Sequence, residues 1–322
     1  VATSTGGRGI VPTTHPVHVG PVGTYSAPCT NRIVHAADLV IFVGCHTGDQ
    51  VTNNWTVPEP GTAIVQIDID GREIGRNYPG VTSIQADPGL ALEALVSACA
   101  DQAPRETWAE EASRLYAEWR RSVAEASASD GTPVRVERLC QEIGRALPEN
   151  GVLVADTGYS AIWTATLVDL PHRGQTYLRA AGSLGWSFPA ALGAKCGAPE
   201  RPVICFSGDG AFYYHVGELE TARRRNIPVV TVINNNSAFA QGLPNVRRLY
   251  GDRPGDPDEI LRFGPTDFAA VARSFGVEGI RVEHPAELAD ALRHALSLGR
   301  PVVVDVVTDA ETRAPEAWSP GP

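Results

Sequence analysis

Ser207-Gly208-Asp209-Gly210-Ala211-Phe212, followed by Val229-Val230-Thr231-Val232-Ile233-Asn234-Asn235-Asn236, carries more information than any other part of the chain. The run that leads into it, Pro202-Val203-Ile204-Cys205-Phe206, is short, apolar and partly β-branched, which suits a buried parallel strand. Gly208 and Gly210 allow a sharp turn and a close backbone approach to a ligand. Phe212, Val216 and Leu219 then recur at helical spacing, so an amphipathic helix is expected, its N-terminus offering N–H groups to an anion. Asn226-Ile227-Pro228 ends that helix and the second apolar strand starts at once. Both strands therefore finish on one edge of a parallel sheet, where α/β folds bind their ligands. One Asp, one Asn and a backbone carbonyl on that edge supply the hard oxygens that Mg²⁺ takes together with phosphate oxygens.

A Gly-Asp-Gly alone is most often a turn, and an asparagine cluster after a strand is most often a loop. The joint pattern, a helix of fitting length between two parallel-type strands, points instead to a cradle for magnesium and a diphosphate.

These residues resemble the thiamine diphosphate motif of the acetolactate synthase and pyruvate decarboxylase superfamily. Gly182-Ser183-Leu184-Gly185-Trp186-Ser187-Phe188-Pro189-Ala190-Ala191-Leu192-Gly193-Ala194 is similar to the family segment that grips the cofactor's pyrimidine ring. Asp156-Thr157-Gly158-Tyr159-Ser160-Ala161-Ile162-Trp163 is similar to the loop that touches its diphosphate. The stretch from Thr3-Ser4-Thr5-Gly6-Gly7-Arg8-Gly9 through Val43-Gly44-Cys45-His46 to Gln66-Ile67-Asp68-Ile69-Asp70 looks like the family's central domain.

The resemblance implies roles at matching positions. Asp209 is the expected magnesium carboxylate, in a motif with Gly208, Gly210 and Ala211. Counting from Pro228, Asn236 is the favoured amide ligand with the carbonyl of Ala238 beside it, and a one-residue shift makes it Asn235; Asn234 also competes. Leu184 matches the apolar wedge that bends the cofactor, and the backbones of Gly182 and Leu184, with Ser183 between them, would meet the pyrimidine edge. Tyr159 and Ser160 would reach the diphosphate, although the family often has Gln or His there. Phe239 and Gln241 either line the pocket or lie on the outer surface, while Tyr214 and His215 are expected to pack or face solvent.

The implied activity is decarboxylation of a 2-oxo acid and attachment of the resulting enamine to a second carbonyl, as in acetolactate synthase. Alternatives are a simple 2-oxo acid decarboxylase, of oxalyl or benzoylformate type, a C–C lyase, or a non-catalytic cofactor-binding or regulatory chain. Members of this family normally carry an N-terminal pyrimidine-binding domain whose glutamate activates the cofactor. No stretch here matches it, and the chain starts at what resembles the second strand of the central domain. The expectation is an incomplete polypeptide, weak in cofactor binding alone, whose activating half comes from a missing segment or another chain. A homodimer or tetramer is implied, because the family builds its sites between subunits.

Composition fits such a piece. A chain of 322 residues with 43% hydrophobic content can form two cores. A formal net charge of −10 argues against nucleic acid as a partner. No apolar run is long enough for a membrane span; no signal peptide is visible, which the truncated start makes uninformative. A cytoplasmic location is expected, in keeping with reduced thiols. The cysteines, at 29, 45, 99, 140, 196 and 205, lack metal-site spacing and are expected to be reduced and buried, Cys99 on an apolar helix. Lys195 is the only lysine, a bias that speaks of nucleotide composition rather than function.

The fold class expected is α/β, with two doubly wound parallel-sheet domains: a truncated central domain over residues 1–103 and a diphosphate- and magnesium-binding domain over 132–313. Residues 104–131 read as a helical connector and linker, with Trp108, Leu115, Trp119 and Val123 on one apolar face. Pro133 is expected to open a helix ending near Leu147, and residues 314–322, rich in proline, to form a loose tail. The glycine-rich start and the strand ending at Gly44 raise the rival idea of a dinucleotide site, and FAD is possible there. No Gly-x-Gly-x-x-Gly lies between strand and helix, so a structural central domain is preferred.

Overall fold

The computed structural model describes residues 1–103 and 106–321. The first two residues of the expected connector, at 104 and 105, and the last residue of the expected tail, at 322, lie outside the described residues. The chain forms two compact units: Val1–Thr5, His15–Arg120 and Glu316–Pro322 make unit 1, and Gly6–Thr14 with Arg121–Pro315 make unit 2.

Unit 1 holds a parallel sheet of β1 (Leu39–Val43), β2 (Ala63–Asp68) and β3 (Thr82–Gln85), in that order, with Leu39 opposite Ala63 and Val65 opposite Thr82. A helix, Pro88–Ala98, follows β3; its Pro88 stands in the first turn, where a missing N–H is harmless, and Asp87 caps it by accepting from Leu90 N at 3.1 Å. The amphipathic helix Glu106–Ser122 buries Ala112 and Trp119. The proline-rich end is anchored rather than loose. The Trp318 ring meets His35 edge-on at 5.2 Å and takes Arg32 over its face at 5.8 Å, while its carbonyl accepts from Asn31 Nδ2 at 2.9 Å. Beside it, Asn53 Nδ2 donates to Ser319 Oγ at 2.8 Å, so an amphipathic ring and two side-chain amides together dock the segment.

Unit 2 is built on six parallel strands: β4 (Val152–Ala155), β5 (Thr176–Arg179), β6 (Val203–Gly208), β7 (Val229–Asn235), β8 (Glu278–Val282) and β9 (Val302–Val307), ordered β5-β4-β6-β7-β9-β8. The central strands are buried along their length, as expected where helices cover both faces. On one face Val154, Cys205, Ile233 and Val303 pack with Phe188, Leu192, Phe212, Leu219 and Phe268. The helices Val136–Ala146, Tyr159–Leu167 and Leu288–Ser297 adjoin one another as a second layer. From β4 the chain steps outward to β5 and then returns to the other side of β4 as β6. That reversal puts the switch point, and the crevice it opens, at the carboxyl ends of β4 and β6.

The structure corrects three details of the sequence reading. The stretch from Asp209 onward is two short helices, Asp209–Tyr213 and Glu218–Arg225, rather than one; Phe212 and Leu219 still reach the core across the turn between them. Pro133 does not open a helix: Val134 forms a bridge to Thr308, and the helix starts at Val136. Not every thiol is buried: Cys29, Cys140 and Cys205 are, but Cys99, just beyond the last turn of its helix, and Cys196 are exposed, and all six are free.

Candidate cofactor site

Three loops meet at the switch point: residues 156–159 after β4, 208–211 after β6 and 234–239 after β7. Asp209 lies at their centre, 2% exposed. Its Oδ1 accepts from Gly210 N at 2.7 Å; its Oδ2 accepts from Asn236 N at 2.9 Å and Ser237 N at 2.5 Å. Burial pushes its carboxyl up to about 7, and the backbone N–H groups of Gly210, Ser237, Asn236 and Ala238 oppose that rise. Ser237 adopts φ 55°, a left-handed turn that lets successive N–H groups converge on one oxygen.

The asparagines divide into anchors and a free hand. Asn235 donates its amide to Asp305 Oδ1 and to Thr266 O, both at 2.8 Å, and Asn234 Oδ1 accepts from Thr308 Oγ1 at 2.6 Å. Both are buried and turned toward β9 or the 266 loop. Asn236 is half-buried and folds back, its Oδ1 accepting from Ala238 N at 3.2 Å. Ala238 pairs with Arg262 in a short antiparallel bridge flanked by Phe239 N to Leu261 O (2.8 Å) and Phe263 N to Ser237 O (3.0 Å). In such a non-hydrogen-bonded pair the N–H and C=O of Ala238 point away from Arg262, toward the side of Asn236. Among the described residues, no group of three or more His, Cys, Asp or Glu could hold a metal. One carboxylate, one amide oxygen and one carbonyl form a hard-oxygen set, which fits a cation that keeps water and phosphate ligands, such as Mg²⁺.

Glycine matters at two places in these loops. A Cβ on Gly210 would run into the ring of Phe239, which is held edge-on to Phe263 at 5.3 Å. Phe239 thus sits directly over the backbone beside Asp209. A Cβ on Gly158, at φ 66°, would come within 2.5 Å of Gln241 Oε1, so Gln241 reaches from the β7 loop to the β4 loop.

The helix Tyr159–Leu167 begins right after Gly158, and its first turn presents Tyr159 and Ser160 at the crevice. Ser160 Oγ lies 3.5 Å from where a Cβ on Gly208 would be. By contrast, Asp209–Tyr213 has only five residues, and Gly210 N is already taken by Asp209, so the longer helix is the better anion end.

Asp156 does more than its motif suggested. Wholly buried, it accepts from Gly185 N at 3.0 Å through Oδ1 and from Ser187 N at 2.9 Å through Oδ2. It therefore pins the loop that carries Gly182, Ser183 and Leu184 to the end of β4. Leu184 is half-buried, Gly182 and Ser183 are exposed, and Gly182, at φ 103°, has nothing within 4 Å of a would-be Cβ. Gly185, at φ 90°, packs so tightly that a Cβ would stand 2.7 Å from Tyr214 Cβ. Sequence reasoning missed Asp156 as a clamp, and it missed Asp305 and Thr266 altogether; the one available signal was a lone Asp inside the aliphatic run of β9.

The model of the thiamine pyrophosphate enzyme central domain matches residues 1–95, and that of the C-terminal TPP binding domain matches residues 156–306. Together they span about three quarters of the chain. A protein described as a probable acetolactate synthase large subunit of Methanocaldococcus jannaschii is 30% identical over 327 residues, covering 98% of this chain and 54% of that protein. The acetolactate synthase isozyme 1 large subunit of Escherichia coli is 28% identical over 315 residues, covering 97% and 54%. The acetolactate synthase large subunit of Haemophilus influenzae is 28% identical over 316 residues, covering 96% and 54%. The chain spans about half the length of the curated relatives it matches. The two matched segments show the family: the chain belongs to the thiamine pyrophosphate enzymes and carries their central and C-terminal TPP binding domains.

Proposed function

We propose that this chain is the cofactor-holding part of a thiamine diphosphate- and Mg²⁺-dependent enzyme that decarboxylates a 2-oxo acid and joins the product to a second carbonyl compound, in the manner of acetolactate synthase. The observation that carries the reading is the Asp209 cradle: a desolvated carboxylate with an amide and a carbonyl oxygen beside it, at the carboxyl ends of β6 and β7. Asp209, Asn236 and the Ala238 carbonyl would hold Mg²⁺, while Tyr159 and Ser160, with the N–H groups of their helix, would take the diphosphate. Gly208, Gly210 and Ala211 keep the β6 turn low enough for that approach. The backbones of Gly182 and Leu184 would meet the ring edge, with Ser183 between them and Leu184 supporting the rings through its apolar side chain. Bound thiamine diphosphate supplies a carbon nucleophile and an electron sink next to the 2-oxo group. The chain's own work would be to hold and orient it; Phe239 and Gln241, which lie against Gly210 and Gly158, would border the space left for the substrate.

The same reading takes residues 1–103 as the central domain, 104–131 as connector, 132–313 as the catalytic domain and 314–322 as its tail. A pyrimidine-binding domain with its activating glutamate would come from further polypeptide or a second chain, a reading supported by the greater length of the relatives, and the assembly would be a homodimer or tetramer. Unit 1 is read as structural. The Gln66 amide donates to Cys45 O (3.2 Å) and Glu73 O (3.0 Å) and accepts from Gly75 N (2.9 Å), which stitches the loops at the ends of β1 and β2 together. Bound FAD would announce itself by flavin absorbance in purified protein, and none is expected. Among the described residues no helix is long and apolar enough to cross a membrane. A cytoplasmic location is part of the same proposal.

The test is a panel of 2-oxo acids offered to the chain together with its pyrimidine-binding partner, following CO₂ release and the carbon skeleton of the product. Acetohydroxy acid formation is expected. Aldehyde alone would make the protein a simple decarboxylase, and cofactor binding with no CO₂ release would make it a regulatory chain.

A further inference from the structure

The strand β9 reads Val302-Val303-Val304-Asp305-Val306-Val307, with a single charge inside an aliphatic run, and Asp305 is 0% exposed. A carboxylate in such a place is costly to desolvate unless its lone pairs are met, and a hydrocarbon of similar size is often the more stable choice. Its partners indicate what it does. Oδ2 accepts from Arg281 Nη1 at 2.7 Å and Phe268 N at 2.9 Å, which fixes the carboxylate plane. Oδ1 is left for one partner, the side chain of Asn235, at 2.8 Å. The same Asn235 amide nitrogen also donates to Thr266 O at 2.8 Å, so its two protons are both directed and the amide has one orientation. Thr308 N donates to Asn235 O at 2.8 Å, and Thr308 Oγ1 holds Asn234.

The end of β7 is thus fastened at Asn235 by β9 and the 266 loop, while β6 pairs with it only as far as Asn234, opposite Gly208. The next residue, Asn236, leaves that grip and gives its N–H to Asp209 on the other side. Where Asn236, Ser237 and Ala238 stand relative to Asp209 depends on where Asn235 is held.

We propose that Asp305 is a positioning residue of the metal cradle, which through the amide of Asn235 sets the register of residues 236–238 against Asp209. This rests on the reading of Asp209, Asn236 and Ala238 as the cation's ligands. It explains why a strand otherwise fit for hydrocarbon keeps a carboxylate: the group selects one arrangement of the β7 end rather than adding stability.

The experiment is a double-mutant cycle on the full 322-residue chain with Mn²⁺ as probe, its affinity read by electron paramagnetic resonance with thiamine diphosphate present and the melting temperature read in parallel. Asp305→Asn and Asn235→Ala should each weaken Mn²⁺ binding by about tenfold or more, in the range typical of outer partners of metal ligands, and the double variant by no more than either alone. Unchanged Mn²⁺ affinity in folded Asp305→Asn, or fully additive losses, would overturn the inference. Should Asp305→Asn fail to fold, Asn235→Ala decides alone, and unchanged affinity there overturns it too. Asp209→Ala separates this inference from the reading beneath it: if Asp209→Ala leaves Mn²⁺ affinity intact, the site itself is misplaced; if Asp209→Ala abolishes binding and Asp305→Asn does not, the site stands and only Asp305's role falls.

Discussion

The N–H of Asn236 donates to Asp209 Oδ2 at 2.9 Å, which closes the end of β7 onto the end of β6 around one buried carboxylate. This bond joins two segments 27 residues apart in sequence.

The protonation of Asp209 follows from its burial. Its carboxyl titrates near 7, well above its ordinary value, with desolvation as the main cause. A raised acid binds protons in the folded chain that the unfolded chain has already released, so its stabilising contribution is lost as pH rises toward and through 7. Without metal, thermal stability should decline between pH 5 and pH 8 more steeply than in Asp209→Asn. Mg²⁺ needs the ionised form, so its affinity should rise over the same range. Scanning calorimetry across pH, with Mg²⁺ and with chelator, checks both signs.

Loss of the Asp156 clamp should loosen a loop without unfolding the sheet. Asp156→Ala leaves Gly185 N and Ser187 N without their acceptor, and each lost charged bond is worth about 1.5–3 kcal/mol before relaxation. Hydrogen exchange should speed up at those two amides, and thiamine diphosphate affinity should fall with little change in strand protection.

Gly210→Ala should destabilise the chain by about 1–3 kcal/mol, because its methyl group enters the space of the Phe239 ring. Phe239→Ala in the same chain should recover part of that loss. Denaturant unfolding of the single and double variants measures the coupling, and simple additivity would mean the two residues do not meet.

Much of unit 2 was readable because its central strands are β-branched runs closed by glycine, aspartate or asparagine, as at Val203 and Val229. The edge strands β5 and β8 were not: Thr176-Tyr177-Leu178-Arg179 is four residues long and has only one sheet neighbour. The break after Tyr213 escaped because Phe212, Val216 and Leu219 keep helical spacing across it. Counting favours Asn236, but the bonds that engage the side chains of the other two asparagines run to Thr308, Thr266 and Asp305, residues 31 to 74 positions away. Trp318 shows the same limit, since its docking partners, Arg32 and His35, lie at the far end of the chain.

Calorimetric titration of thiamine diphosphate into the purified chain, with and without Mg²⁺, for wild type and Asp209→Ala, tests the central assignment most directly. Mg²⁺-dependent binding in the wild type that vanishes in Asp209→Ala is the predicted result. Equal affinity in the two proteins, or binding indifferent to Mg²⁺, would contradict it.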